Sequence, residues 1–187
     1  MATSKAFITT IGGHSFDPVS PSPEDIEIGD IAHSLSMICR ANGHFSRFFS
    51  VARHCINCVR EAEARRLGAR IRLLCLMHDA AEAYIGDMTR PLKRQLPFYC
   101  EREEAIHACI LEKFGIPAAS AEEKAAVREI DDCMLYHEFL AFNGDILYDE
   151  PPAVHIDILH SEREFAATEA EFLALFETLM KEAGYAC

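Results

Sequence analysis

Residues 71–77 (Ile-Arg-Leu-Leu-Cys-Leu-Met) form an apolar run that leads straight into His78-Asp79-Ala80-Ala81-Glu82, and this junction limits the chain's folding options more than any other stretch. On a helix, Leu74, His78 and Glu82 stack along one face, and Cys75 and Asp79 form the neighbouring row. That face is where a core-facing stripe belongs. A carboxylate buried there without a partner costs several kcal/mol, so such groups are paired, protonated or bound to a metal. An imidazole beside a carboxylate offers one nitrogen and one oxygen donor to a divalent cation. The junction reads as half of a metal site.

Two other stretches repeat the pattern. Val51, His54, Cys55, Cys58 and Ala62 share one helical face, and Val127, Ile130, Asp131, Met134, Leu135 and Glu138 recur at spacings of three and four. Three amphipathic helices each aim an ionisable group at the expected core, and one of them aims two. Packing alone does not explain that.

On these residues the chain resembles the HD superfamily of metal-dependent phosphohydrolases. The family's ligands, a His on one helix, a His-Asp pair on a second and a distant Asp, map to His54, His78 with Asp79, and Asp131. The likeness extends to 30–36 (Asp-Ile-Ala-His-Ser-Leu-Ser), to Arg40-Ala41-Asn42-Gly43-His44, and to 78–93 (HDAAEAYIGDMTRPLK). These segments look like the small bacterial and phage HD nucleotidases similar to 5′-deoxyribonucleotidase. The resemblance runs from about position 30 to 138, over half the chain.

What the resemblance implies is specific. The fold is a compact all-α HD-domain bundle of about six to seven helices, a single domain over 1–187 with 1–28 as an extension packed on it. The activity is divalent-metal-dependent hydrolysis of a nucleotide, a (deoxy)nucleoside 5′-monophosphate first of all. A deoxynucleoside triphosphate triphosphohydrolase and a non-catalytic nucleotide or metal sensor are the alternatives. Glu82 and Asp87 match catalytic residues, and Arg40 and Lys93 match residues that meet substrate. Glu82 as support for an imidazole and Asp87 as a simple turn cap stay open beside those roles. Two-metal relatives need further histidines between the His-Asp pair and the last Asp; only His107 lies there, so one divalent ion per chain is expected (Mn²⁺, Co²⁺, Fe²⁺, Ni²⁺, Zn²⁺ or Mg²⁺). The deoxyribonucleotidases carry Trp after the Arg; here Ala41 follows Arg40 and the chain has no Trp, so base and sugar preference does not carry over. Small HD nucleotidases are commonly oligomeric, and a homodimer or larger assembly is expected. Glu138 is either support for the ligands or a dimer contact.

Composition agrees with a small anionic substrate. A net charge of −12 argues against polymeric nucleic acid as a partner. Yet positions 40–94 hold 11 basic and 5 acidic residues, a cationic segment on an acidic protein. Arg60, Arg65, Arg66, Arg70 and Arg72 read as solvated helix surface, whereas Arg40, Arg53, Arg90, Lys93 and Arg94 flank the motifs. No apolar stretch approaches the roughly 20 residues that cross a bilayer. The first residues lack the apolar core of a signal peptide, so the cytoplasm is the expected compartment and no membrane partner is. Cys39, Cys55, Cys58, Cys75, Cys109 and Cys133 fall in apolar helical patterns and read as buried thiols.

Helices are expected at about 29–40, 50–67, 69–84, 99–114, 121–142 and 161–183, after a short hairpin over 6–16 and a proline-rich connector. Ser120 and Ser161 each precede a glutamate at the capping-box spacing. The last helix shows more than one apolar stripe, part of which suits an interface.

Overall fold

The computed structural model describes residues 7–161 and 163–185. Ala6 of the expected hairpin and Glu162 of the second expected capping box lie outside the described residues. Apart from one two-stranded hairpin the architecture is all-α. Strand β1 (Ile8–Thr9) pairs antiparallel with β2 (Ser15–Phe16). Helices follow as α1 (Ile28–Met37), α2 (Val51–Ala64), α3 (Ala69–Met77), α4 (Glu82–Ile85), α5 (Arg90–Lys93), α6 (Pro97–Lys113), α7 (Ala121–Asn143) and α8 (Phe165–Glu182). Helix α3 lies at the centre, against α2, α7 and α8, while α1 packs on α8, α4 and α2.

Six long helices match the expected periodicities, and the differences are informative. The stretch expected as one helix over 69–84 breaks after Met77. Ala80, Glu82, Ala83 and Tyr84 donate their N–H groups three residues back, to Met77, Asp79, Ala80 and Ala81. The chain tightens into 3-10 geometry across the His-Asp pair before α4 begins. Helix α1 ends at Met37, and Arg40 sits in a separate 3-10 turn over Arg40–Gly43. Ala41, Asn42 and Gly43 in that turn all take positive φ, at 54°, 51° and 75°. For Ala that conformation costs roughly 1–2 kcal/mol. The loop is pinched at its base, where Arg40 N–H donates to the Phe49 carbonyl (2.8 Å) and Val51 N–H to Ile38 (3.1 Å).

The capping box at Ser120 forms: its side chain accepts from Glu123 N–H (3.2 Å) and Glu123 accepts from Ser120 N–H (2.9 Å). The box expected at Ser161 does not, because α8 starts later, with Glu164 as an N-cap lacking a side-chain bond. The hairpin is held by Asp30 of α1, which accepts from Gly12 N–H (2.7 Å) and meets His14 Nδ1 (3.0 Å). A Cβ at Gly12 would lie 2.7 Å from Asp30 Oδ1, so a larger residue there would displace the Asp30 carboxylate from this contact.

One core runs from Phe16, Ile31 and Leu35 through Ile56, Leu73 and Ile130 to Phe172, all essentially inaccessible. A smaller aromatic cluster, Phe45, Phe49 and Phe142, fixes the loop after Arg40 against the end of α7. Most of the apolar surface of α8 serves the core: Phe172, Phe176, Leu179 and Met180 are buried, and Phe165 is exposed. Three of the five arginines expected to be merely solvated are engaged in ion pairs. Arg65 pairs with Glu61 and Glu129, Arg70 with Glu123, and Arg72 with Glu63 and Glu182. No helix among the described residues is long and apolar enough to cross a membrane.

Two substitutions calibrate this picture by denaturant unfolding. Phe172→Ala, which empties a fully buried site, is expected to cost about 3–5 kcal/mol. Ser120→Ala, which removes one cap, is expected to cost about 1 kcal/mol.

Candidate metal centre

The four residues expected as ligands converge. His54 comes from the first turn of α2, His78 and Asp79 from the tight turn after α3, and Asp131 from the middle of α7. His54 Nε2 lies 3.3 Å from His78 Nε2, 3.1 Å from Asp131 Oδ1 and 3.9 Å from Asp79 Oδ2. His78 Nε2 lies 3.2 Å from Asp79 Oδ2 and 3.8 Å from Asp131 Oδ1. An ion with bonds of about 2.1 Å separates neighbouring donors by about 3.0 Å at right angles and about 3.4 Å in a tetrahedron. Three of the five spacings, 3.1, 3.2 and 3.3 Å, fall between those values, and the other two, 3.8 and 3.9 Å, are longer.

The far side of each imidazole decides which nitrogen faces inward. His78 Nδ1 donates to the Cys75 carbonyl (2.8 Å), which can only accept. His54 Nδ1 donates to Glu138 Oε1 (2.7 Å). Both rings therefore carry the Nδ1 proton and turn Nε2 toward the cluster, as a metal-ligating histidine requires. Glu138 is completely buried, and its other oxygen accepts from Arg40 Nε (3.0 Å). It is thus support for the site rather than a surface contact. His107, on α6, donates through Nε2 to the Met77 carbonyl (3.1 Å) and braces the turn that carries His78.

Electrostatics match an assembly built for a cation. Burial works against a charged His78, but Asp79 and the hydrogen bonds of both aspartates carry its pKa well above the ordinary imidazole value. His54 moves the same way: burial and Arg40 push it down, and Glu138 and Asp131 push it further up. For Asp79, burial is overcome by His78 and Arg40, and its pKa falls; Asp131 is held low by both imidazoles. Protons stand where a divalent ion would replace them.

Arg40 closes one side. Its guanidinium lies 3.5 Å from Asp79 Oδ2 and 3.5 Å from Asp131 Oδ1. Arg90 holds the outer oxygen of Asp131 (2.5 Å) and also pairs with Asp132. Glu82 is buried, and its Oε2 has no hydrogen-bond partner among the described residues. Burial, then Asp79 and Asp87, push its pKa well above the usual glutamate range. Asp87 is raised too, by burial and against the pull of Arg40. Lys93 makes no hydrogen bond to the four residues expected as ligands among the described residues; its ammonium is bound by Glu103 Oε1 (2.5 Å). Sequence spacing gave no sign of Glu103, because the pairing spans two helices.

The unpartnered carboxyl of Glu82 yields a sign for pH dependence. Below its raised pKa the folded protein holds a proton that the unfolded chain has lost, so stability falls as pH rises from the ordinary glutamate range through that value. Glu82→Gln should remove this part of the decline and leave the metal-free protein about 1–3 kcal/mol more stable above it. Thermal unfolding across that window checks the point; parallel curves for the two proteins would contradict it.

No family model matches the chain. It is similar to the uncharacterized protein YfdR of Escherichia coli, with 46% identity over 112 residues, 60% of either chain. This chain thus spans less than two thirds of that relative's length. It is also similar to the uncharacterized protein RCAP_rcc00048 of Rhodobacter capsulatus, with 37% identity over 134 residues and 68% of either chain. On that coverage the chain belongs to the family of RCAP_rcc00048.

Proposed function

We propose that the protein is a metal-dependent phosphohydrolase of the HD type, acting on a nucleotide, in the first place a (deoxy)nucleoside 5′-monophosphate. The observation that supports this most is the convergence of two Nε2 atoms and two carboxylate oxygens with both Nδ1 protons committed elsewhere. His54, His78, Asp79 and Asp131 would hold one ion. When bound, a divalent ion there supplies Lewis acidity toward a phosphoryl oxygen and acidifies water.

The rest of the chemistry belongs to the chain's own side chains. Asp79 and Asp131 are partly open to solvent while His54 is sealed, so substrate approaches from the aspartate side. Arg40 borders that opening and supplies positive charge to a phosphate whose negative charge grows in the transition state. Glu82, its pKa raised well above the usual glutamate range by burial and with one oxygen lacking a hydrogen-bond partner among the described residues, suits the group that takes a proton from the attacking water. Asp87 stands next along the same rim, influenced by Asp79 and Arg40. Lys93 meets phosphate only when it leaves Glu103.

Metal-stripped protein, given Mn²⁺, Co²⁺, Zn²⁺ or Mg²⁺ separately, is expected to release phosphate from one or more nucleoside monophosphates. Asp79→Ala should abolish turnover, and Glu82→Gln should lower kcat by about 10²–10⁴-fold while leaving metal uptake intact. Stoichiometric metal binding and nucleotide binding without turnover would instead favour the sensor.

A further inference from the structure

The inner wall of the proposed metal centre carries a donor that the His-Asp pattern does not include. Cys58 lies one turn after His54 on α2 and is almost fully buried. Its Sγ is 3.5 Å from His54 Nε2, the nitrogen that faces the cluster. The donor atoms of His54, Cys58 and His78 all lie within 4.8 Å of one another. For a sulfur bound at about 2.3 Å and a nitrogen at about 2.1 Å, a tetrahedral angle separates the two by about 3.6 Å. The observed distance is that of two ligands sharing one ion.

Cys55 provides the contrast. Its Sγ also lies within 4.8 Å of donors on His78 and Asp79. Its approach to the imidazole, however, is to His78 Nδ1 at 4.0 Å, the nitrogen already committed to the Cys75 carbonyl. Cys55 thus sits by the committed nitrogen of His78, and Cys58 by the inward-facing nitrogen of His54.

Resting on the metal-centre reading above, we infer that Cys58 is a further ligand of the bound ion, making the site a mixed sulfur, nitrogen and oxygen centre that selects Zn²⁺ or Co²⁺ over Mg²⁺ or Mn²⁺. On binding, the thiol proton leaves to solvent and a sulfur lone pair forms the bond to the ion; nothing is oxidised. A thiolate adds a soft donor, which suits zinc and cobalt and adds little for the hard oxygen-seeking ions.

The test is optical and needs no turnover. The metal-stripped full chain is titrated with Co²⁺ alone, and the near-ultraviolet sulfur-to-cobalt charge-transfer band is followed to one equivalent. The inference expects that band in the wild type and in Cys55→Ser, its loss in Cys58→Ser, and a fall in Co²⁺ affinity of about tenfold or more in Cys58→Ser. The wild-type spectrum reports whether sulfur is bound and the Cys55→Ser spectrum whether that sulfur is Cys55, so poor folding of Cys58→Ser does not blunt the result. Stoichiometric Co²⁺ uptake without the band, or a band that survives Cys58→Ser, overturns the role of Cys58 and leaves the metal centre standing. Absence of any Co²⁺ uptake overturns both.

Discussion

The buried carboxylate of Glu138 is the contact on which the site depends. It takes the Nδ1 proton of His54 with one oxygen and Arg40 Nε with the other, in a position without solvent access. Through it α7 is tied at one point to α2 and to the loop after α1. Removing one member of such a buried set leaves an uncompensated charge, which costs several kcal/mol. The three groups therefore stand or fall together, and their geometry fixes where His54 Nε2 points. The strained turn over Arg40–Gly43 follows from the same constraint: three left-handed residues let the chain reverse while the Arg40 side chain stays inside. The pinch between Arg40 and Phe49 and the aromatic cluster beneath it hold that reversal in place.

Around this anchor the protein concentrates charge that does little for stability. Asp79, Asp131, Glu82 and Asp87 crowd one opening, with Arg40, Arg90 and Lys93 as nearby cations. Each carboxylate gives up hydration, and Glu82 gets no hydrogen bond in return at Oε2. Strongly shifted titrations from burial and specific partners are the physical mark of functional sites. Elsewhere the chain obeys ordinary packing rules, with an apolar centre at α3 and ion pairs at the surface. Other buried charges, such as Asp30 with His14 and Glu61 with Arg65 and His155, are each paired.

Much of this was legible in the sequence. The periodicity of Val127, Ile130, Asp131, Met134 and Glu138 identified α7 and its inward face, and the matching stripe around His54 did the same for α2. Spacing showed three helices each placing ionisable residues on an inward face, and the resemblance, not the spacing, chose His54, His78, Asp79 and Asp131 among them. The break after Met77 was not legible, because residues 71–84 keep helical spacing throughout and the tightening is imposed by tertiary packing. The starts and ends of α1 and α8 shifted for a similar reason: local signals at Ser161 lost to contacts made further along. Long-range pairings such as Lys93 with Glu103, or His107 with the Met77 carbonyl, leave no trace in local patterns. Cys58 read as a core thiol because burial and ligation place a cysteine on the same helical face.

The central claim is that His54, His78, Asp79 and Asp131 form one divalent-ion site. It is tested most directly by thermal unfolding of metal-stripped protein with and without added Zn²⁺ or Co²⁺, beside the isosteric variant Asp131→Asn. Binding to the folded state alone adds about 2.7 kcal/mol at a hundredfold excess over Kd, so the wild-type Tm should rise with metal while that of the variant stays nearly fixed. A wild-type Tm indifferent to every divalent ion, or an equal rise in Asp131→Asn, would contradict the account.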